Sequence, residues 1–151
     1  MLTIINENYE GLEYLNGRYT YNGDLFVDGN AVIEIDDIFI DGNLDVRGNL
    51  TTKDVKVSGC IAVGGDFVAG NVECKTAAIE RSMTVNGDFK SEMFWINGDL
   101  AVSGDTEAKN GVSTVFDRLT TTNLVIDRLY VGGDIDVKGK IYTSMQGGIL
   151  K

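Results

Sequence analysis

The chain has 151 residues, two cysteines, no histidine and a formal net charge of −10 from 13 basic and 23 acidic residues. The length fits one domain. Without histidine, the chain lacks the most common general base and metal ligand, so a Ser-His-Asp or Cys-His group cannot form within it. The excess of negative charge argues against direct binding to nucleic acid or to anionic membranes.

The first 22 residues do not follow the pattern of the rest of the chain. They contain four tyrosines together with several aliphatic residues. The end of a stack of strands needs protection, because its edge carries unpaired backbone groups. We therefore expect residues 1–22 to form an N-terminal cap, with a short helix near Tyr9–Leu15.

From residue 23 the chain repeats a motif of Gly, Asp or Asn, an aliphatic residue, any residue, Val, any residue and Gly. Five copies follow the motif closely and two are degenerate; they begin at Gly23, Gly42, Gly59, Arg81, Gly98, Asp117 and Gly133. The mean step is about 18 residues, which three sides of six residues fill. Such a period, built from six-residue units, is typical of a β-helix.

Apolar residues alternate with other residues inside each copy. In the register that aligns the copies, the 28 inward positions of the two regular sides are apolar except at Ser113 and Thr121. Strands have this period of two, and helices do not. In this register, Ala77 stacks on Val55 in the next rung, on the side that precedes the first glycine of each copy. The register leaves the third side irregular, with loops near Asn71–Thr76 and Lys109–Gly111.

The predicted fold is all-β: a single-stranded, three-sided β-helix, or solenoid, of about seven rungs of about 18 residues. We expect one domain over 1–151, with the cap over 1–22, regular rungs over 23–143 and a C-terminal end over 144–151. The last rung begins at Ile141. We expect it to be an open edge with which another chain can pair.

The Gly-Asp and Gly-Asn pairs are interpreted as corners of the coil. Glycine accepts a positive φ there, and Asp or Asn can bond to nearby backbone in a tight bend. A calcium-binding repeat needs a fuller motif than Gly64-Gly-Asp66 and Gly132-Gly-Asp134 provide. With two cysteines and no histidine there is no zinc site. We expect no cofactor and no metal, and we expect Cys60 and Cys74 to be free thiols.

One surface feature predicts a contact with a partner. Phe39, Trp95 and Tyr130 occupy the same outward position, three residues before the first position of their copies, and Met93 lies near Trp95. Exposed aromatic residues often anchor partners. The alternative is that loops of the third side or the N-terminal segment cover them.

Catalysis would have to come from carboxylates. The candidate cluster of Asp45, Arg47, Asp136 and Lys138 lies on rungs far apart, whereas carboxylates that cooperate in glycoside hydrolysis lie within about 10 Å. Left-handed hexapeptide acyltransferases generally rely on histidine. Ice binding needs flat arrays of outward threonines, and the threonines here are scattered. We expect no enzymatic activity.

The repeat texture over about residues 17–143 resembles the bactofilin family of bacterial cytoskeletal proteins. The resemblance is carried by segments such as Gly42-Asn-Leu-Asp-Val-Arg-Gly48 and Val131-Gly-Gly-Asp-Ile-Asp-Val137. It implies a right-handed β-helix, no cofactor and end-to-end assembly into filaments. The chain departs from the family in its irregular third side and in its tyrosine-rich N-terminus.

We expect a non-enzymatic structural or scaffolding protein that associates with itself through the ends or faces of the β-helix. One alternative is an acidic interaction module, of inhibitor or immunity type, that binds a basic partner surface. A third is a carbohydrate-active protein. No leader or long apolar run is visible, so we expect a cytoplasmic protein without membrane insertion.

Overall fold

The computed structural model describes residues 2–143, which form 22 β-strands and no helix, so none of these residues belongs to a membrane-crossing helix. In chain order the strands are β1 (Leu2–Ile5), β2 (Leu12–Leu15), β3 (Arg18–Asn22), β4 (Leu25–Val27), β5 (Asn30–Ile33), β6 (Asp37–Asp41), β7 (Leu44–Val46), β8 (Leu50–Thr51), β9 (Asp54–Val57), β10 (Cys60–Val63), β11 (Phe67–Ala69), β12 (Val72–Glu73), β13 (Thr76–Ile79), β14 (Met83–Val85), β15 (Phe89–Ser91), β16 (Met93–Ile96), β17 (Leu100–Val102), β18 (Thr106–Val115), β19 (Leu119–Thr121), β20 (Leu124–Val131), β21 (Ile135–Val137) and β22 (Ile141–Thr143).

The strands stack in parallel as a β-solenoid of about seven turns, with coils of about 17 residues. Each coil gives one strand to each of three ladders, which we name faces I, II and III. Face I contains β1, β5, β8, β11, β14, β17, β19 and β21. Face II contains β3, β6, β9, β12, β15, the first parts of β18 and β20, and β22. Face III contains β4, β7, β10, β13, β16 and the last parts of β18 and β20.

The predicted register is wrong beyond the third coil. Val55 pairs with Val72, one face earlier than the predicted Ala77, and Ala77 instead pairs with Ile61. The region near Asn71–Thr76 is no loop, because Val72–Glu73 is a regular strand of face II. All three faces alternate apolar and polar residues, so a shift by one whole face preserves the pattern and cannot be detected from it.

The second predicted irregularity lies where the sequence placed it, but Lys109–Gly111 belongs to strand β18 and forms no loop. Between Ala108 and Val112 the pairing of β18 with β20 shifts register, and Gly111 has a φ of +89°. The four steps from Ala108 to Val112 face only two steps of β20, from Ile126 to Arg128, so β18 carries two extra residues here. Extra residues of this kind locally interrupt the ladder and bend the strand. The bulge lets β18 pass from face II to face III without a separate corner.

The inward side chains form one continuous apolar column. Leu44, Ile61 and Leu100 are completely buried, and the rings of Phe89 and Phe94 pack with centroids 5.4 Å apart. Each fully buried aliphatic or aromatic side chain contributes roughly 1.5–3 kcal/mol. The column therefore supplies the main stabilisation of a fold whose strands are only two to five residues long in most coils.

Three buried polar residues of the column, Thr106, Ser113 and Thr121, have partners inside it, whereas the buried Oγ of Ser91 has none within residues 2–143. The hydroxyl groups of Thr106 and Thr121 lie 2.8 Å apart, and the Oγ of Ser113 accepts a bond from the N–H of Phe94 at 3.1 Å. Satisfied polar groups of this kind cost little, whereas an unpaired buried group costs about 1–3 kcal/mol. The two non-apolar inward positions of the sequence pattern, Ser113 and Thr121, are thus accommodated.

Asp and Asn side chains build ladders along the corners. Each accepts a hydrogen bond of 2.8–3.1 Å from the backbone N–H of a residue 16 to 19 positions later, at the same corner of the next coil. The prediction that these side chains bond within their own bend was wrong. The Asp and Asn acceptors are Asp24, Asn30, Asn43, Asn49, Asp54, Asp66, Asn71, Asp88, Asp99 and Asn123, and the Oγ of Ser82 accepts in the same way.

The N-terminal residues form strands, and the predicted helix near Tyr9–Leu15 is wrong. β1 pairs with β5 on face I, and β3 pairs with β6 on face II, so coils begin before residue 23. β2 folds back antiparallel onto β3 and covers its outer edge, with the rings of Tyr14 and Tyr19 in edge contact at 4.9 Å. Among the described residues of the predicted cap, 1–22, only strand β2 of this hairpin covers an edge, because β1 and β3 belong to regular coils. The predicted C-terminal end, 144–151, lies outside the described residues.

Candidate functional site

β4, β7 and the corner after β7 present Phe26, Asp45 and Arg47, with the Arg47 guanidinium 5.4 Å from the centre of the Phe26 ring. Beyond them, the outward surface of face III has two unlike halves. β10 and β13, with the corner after β10, present the small residues Cys60, Ala62, Gly64, Thr76 and Ala78, which we name the flat half. The next three strands and the corner after β18 present Met93, Trp95, Val112, Phe116 and Tyr130, which we name the raised half.

The raised half is apolar and accessible. Met93, Val112, Phe116 and Tyr130 are between 41% and 50% exposed, and the ring of Trp95 meets that of Phe116 edge to face at 5.5 Å. Clusters of large apolar side chains on a solvent-facing sheet commonly mark contact sites. The raised half is therefore the leading candidate for a contact surface on the described part of the chain.

Three of the four predicted contact residues lie in the raised half. Trp95 pairs with Thr114 and Thr114 with Tyr130, so the two aromatic residues share one outward column, and Met93 lies on the strand of Trp95. Phe39 does not belong to this group, because it lies on face II. There the guanidinium of Arg18 and the ammonium of Lys56 lie 5.8 and 6.0 Å from the centre of its ring.

Sequence reasoning missed two members of the raised half, Val112 and Phe116. In the predicted register Val112 lies next to an expected loop, and Phe116 lies at a corner where no outward strand position was assigned. The signal that could reveal Phe116 is its spacing of two residues from Thr114, which continues the outward alternation of the strand.

Face II carries an alternating column of charge. Lys56, Glu73, Lys90 and Glu107 stack in register. The Nζ of Lys56 lies 3.4 Å from Glu73, and the Nζ of Lys90 lies 3.6 Å from Glu107. These exposed pairs each contribute about 0–1 kcal/mol. A shallow groove of about 480 Å³ runs beside the column, and Lys75, Glu92 and Lys109 also line it.

Face I presents a narrow uncharged column. Thr51, Val68, Thr84, Ala101 and Thr120 follow each other in register, one residue per coil. The threonines recur only at every second coil and in single file. This column is therefore not the flat array of outward threonines that ice binding needs.

The candidate cluster of Asp45, Arg47, Asp136 and Lys138 does not converge, as its distant rungs predict. Asp45 lies on face III and Asp136 on face I, so these side chains point to different sides of the solenoid. Within residues 2–143, no group of three or more His, Cys, Asp or Glu residues is placed to hold a metal ion.

The two cysteines are free and have different surroundings. Cys60 is exposed at the edge of face III, whereas Cys74 is buried. Burial, with smaller contributions from the nearby Cys60 and Glu73, raises the pKa of Cys74 to about 12. The nucleophilic form of cysteine is the thiolate, so Cys74 is inert at neutral pH.

The N-terminal hairpin bounds an acidic pocket of about 530 Å³. Its two cations are already paired: Arg18 with Asp37 at 2.8 Å and Lys53 with Asp36 at 2.7 Å. The hydrogen bond to Asp36 is the main reason that the pKa of Lys53 is raised. Further carboxylates from Glu7 and Glu34 leave the pocket with an excess of negative charge.

The two ends of the described stack have open strand edges. At the start, β1 and β4 each have one neighbour among the described strands, while β2 covers β3. At the other end, β21 and β22 each have one neighbour within residues 2–143. Ile141 and Tyr142 of β22 are 42% and 53% exposed.

Comparison of the chain with protein-family models, with curated proteins and with solved structures finds no match. The resemblance to bactofilins stays a prediction that these comparisons do not test.

Proposed function

We propose that the protein is a non-enzymatic structural protein that assembles with copies of itself through the C-terminal end of the solenoid. The observation that carries this proposal is the pair of open parallel edges, β21 and β22, at that end of the described stack. Unpaired edge strands are templates for pairing with another chain. The exposed Ile141 and Tyr142 add apolar surface that pairing would bury.

The N-terminal end is less suited to the same contact. The hairpin strand β2 occupies the edge of face II there. That end also presents five exposed carboxylates against one arginine: Glu7, Glu10, Glu13, Asp24 and Asp28. Two such ends therefore repel each other. At the C-terminal end, two acidic residues are balanced by Lys138 and Lys140. Charge therefore favours contacts that include the C-terminal end.

The test is a charge placed on the open edge. Ile141→Lys puts a strongly hydrated cation where pairing strands would exclude water. We expect sedimentation velocity to show smaller species than for the unchanged protein at equal concentration. Val68→Lys, at an exposed position in the middle of face I, is the matched control and should sediment like the unchanged protein. If both variants assemble as the unchanged protein does, the proposal is wrong.

A second candidate is an acidic module that binds a basic protein surface. The acidic pocket below the N-terminal hairpin favours it, since Glu7 and Glu34 line that pocket. The test is binding of polylysine at rising salt concentration. The pair Glu7→Gln and Glu34→Gln should weaken binding, and Glu92→Gln, at the corner between β15 and β16, should not. Equal binding by all variants would exclude this pocket as the site.

A further inference from the structure

We propose that face III is the contact surface for a second copy of this chain, with the two stacks side by side and antiparallel. The two-fold axis lies in the contact plane, parallel to the strands, between β13 and β16. This inference rests on the proposed self-association. It names a side-to-side contact that is separate from the contact at the ends.

The first argument is that the axis places the raised half of each copy on the flat half of the other. Consecutive strands of face III are in register, so the axis exchanges β13 with β16 and β10 with the last part of β18. Trp95 then lies opposite Ala78 of the second copy, and Met93 lies opposite Thr76. At the corners, Phe116 lies opposite Gly64.

In the four central strands of face III, this arrangement gives each large side chain a small one across the contact. A two-fold contact uses the same patch on both copies, so the patch has to be complementary to itself. The four central strands of face III meet this condition, because their large and small residues lie on opposite sides of one line. The exposed Phe26 lies on β4, outside this central part, and no described strand lies opposite it. An unrelated partner would not require the flat half and the raised half to match each other in this way.

The second argument is the charge. The chain carries −10, so a contact between two copies has to avoid facing carboxylates. Under the proposed axis, Asp45 lies opposite Tyr130 and Glu80 lies opposite Asn97, so neither meets a carboxylate. Arg128, on the strand of Tyr130, lies near Asp45 of the other copy.

The alternative two-fold axis, along the stack, is less favourable. It pairs each central residue of face III with itself, so Trp95 meets Trp95 and Asp45 meets Asp45. The first contact opposes two bulky rings, and the second opposes two carboxylates, which is destabilising. The antiparallel arrangement avoids both contacts.

The area of face III sets the strength of the contact. Six overlapping coils at about 4.8 Å by a strand of about 13 Å give roughly 370 Å² per copy. Stable interfaces bury about 800 Å² per partner, so this contact belongs to the weak class. We therefore expect a dimer that dissociates on dilution, and the test has to trap it covalently.

The natural Cys60 allows a direct test. Under the proposed axis it lies opposite Val112 of the second copy, and both residues are exposed. Within one chain the two positions are three coils apart, about 14 Å, which is too far for a disulfide. Val112→Cys should therefore give a disulfide-linked dimer under mild oxidation with copper phenanthroline, visible on a non-reducing gel.

Two matched variants complete the experiment. Cys60→Ser combined with Val112→Cys removes the partner thiol and should lose the dimer band. Thr84→Cys keeps Cys60 but places the second thiol on face I, where it should give at least tenfold less dimer at equal concentration. The proposal is overturned if Val112→Cys gives no dimer, or no more than Thr84→Cys, or if its dimer does not depend on Cys60.

Failure of this inference differs from failure of end assembly. Concentration-dependent assembly that Ile141→Lys reduces, without a Cys60-dependent dimer, overturns only the face III contact. A Cys60-dependent dimer without any larger species overturns only the contact at the ends.

Discussion

The side chain of Asn71 fills the space that a side chain on Gly87 would need. Its Oδ1 accepts the backbone N–H of Asp88 at 2.8 Å, and a Cβ on Gly87 would overlap that oxygen. Gly87 has no positive φ, so backbone conformation does not explain the glycine. The recurring glycine leaves room for the corner ladder from the coil before it.

Gly87→Ala should therefore destabilise the protein through Asn71. We expect the free energy of unfolding to fall by about 1–3 kcal/mol, the usual cost of overpacking. Asn71→Ala removes the bond from Asp88 and the bond that its Nδ2 donates to Asp54 at 3.2 Å, and it should cost about 0.5–1.5 kcal/mol for each. In the double variant the alanine at 87 should cost less than in the natural background, because the overlapping atoms are gone. Urea unfolding of the four proteins measures this coupling.

The three atoms nearest to a Cβ on Gly87 all belong to the side chain of Asn71. If the two substitutions add without coupling, another contact limits this position. Asn86→Ala is the matched control. It is exposed and should change the free energy of unfolding by less than about 0.5 kcal/mol.

Ser113→Ala should destabilise the protein although it removes only one atom. It leaves the N–H of Phe94 buried without its acceptor. We expect a loss of about 1–3 kcal/mol in the free energy of unfolding. Thr114→Ala, on the outward side of the same strand, should have little effect. Equal effects of the two substitutions in chemical unfolding would contradict the assignment of Ser113 to the core.

Leu100→Ala should cost about 2–5 kcal/mol, because the side chain is completely buried in the apolar column and its loss leaves a cavity. Thr84→Ala, which lies outward on the neighbouring strand of face I, is the control. Thermal unfolding should separate the two variants clearly. A Leu100→Ala protein as stable as the control would mean that the column is not packed as described.

Cys74 should react with thiol reagents only after unfolding, whereas Cys60 should react in the native protein at pH 8. Because the pKa of Cys74 is raised from 9.0 to about 12, its thiol binds a proton more tightly in the folded state. Its contribution to stability is full below pH 9 and is lost as the pH rises towards 12. Cys74→Ala should therefore flatten the fall in stability between pH 9 and pH 12.

Cys60→Ala is the control for this series. It removes the fast-reacting thiol and should leave the alkaline dependence nearly unchanged. Two fast-reacting thiols in the natural protein would contradict the burial of Cys74.

The fold could be predicted from the sequence because its signal is local. The alternation around residues such as Leu44 and Val46 indicates a strand with one buried face, and the spacing of the recurring glycines indicates the length of a coil. The register could not be predicted. Val72 and Ala77 both begin an apolar alternation after Val55, and only long-range stacking decides between them.

The contact surface could be predicted only in part for the same reason. Trp95 and Tyr130 were grouped correctly because both lie after the misplaced step. Phe39 lies before that step and was assigned to the wrong face. The flat half of face III could not be predicted from the sequence. Its small residues gain significance only from the large residues that the proposed contact places opposite them.

Sedimentation equilibrium of the unchanged protein over a wide range of concentrations tests the central claim of self-association most directly. We predict that the average mass rises with concentration from one chain to multiples of it, because the open edges and face III both gain from contact. A mass equal to one chain at every concentration, at both low and high salt, would contradict self-association.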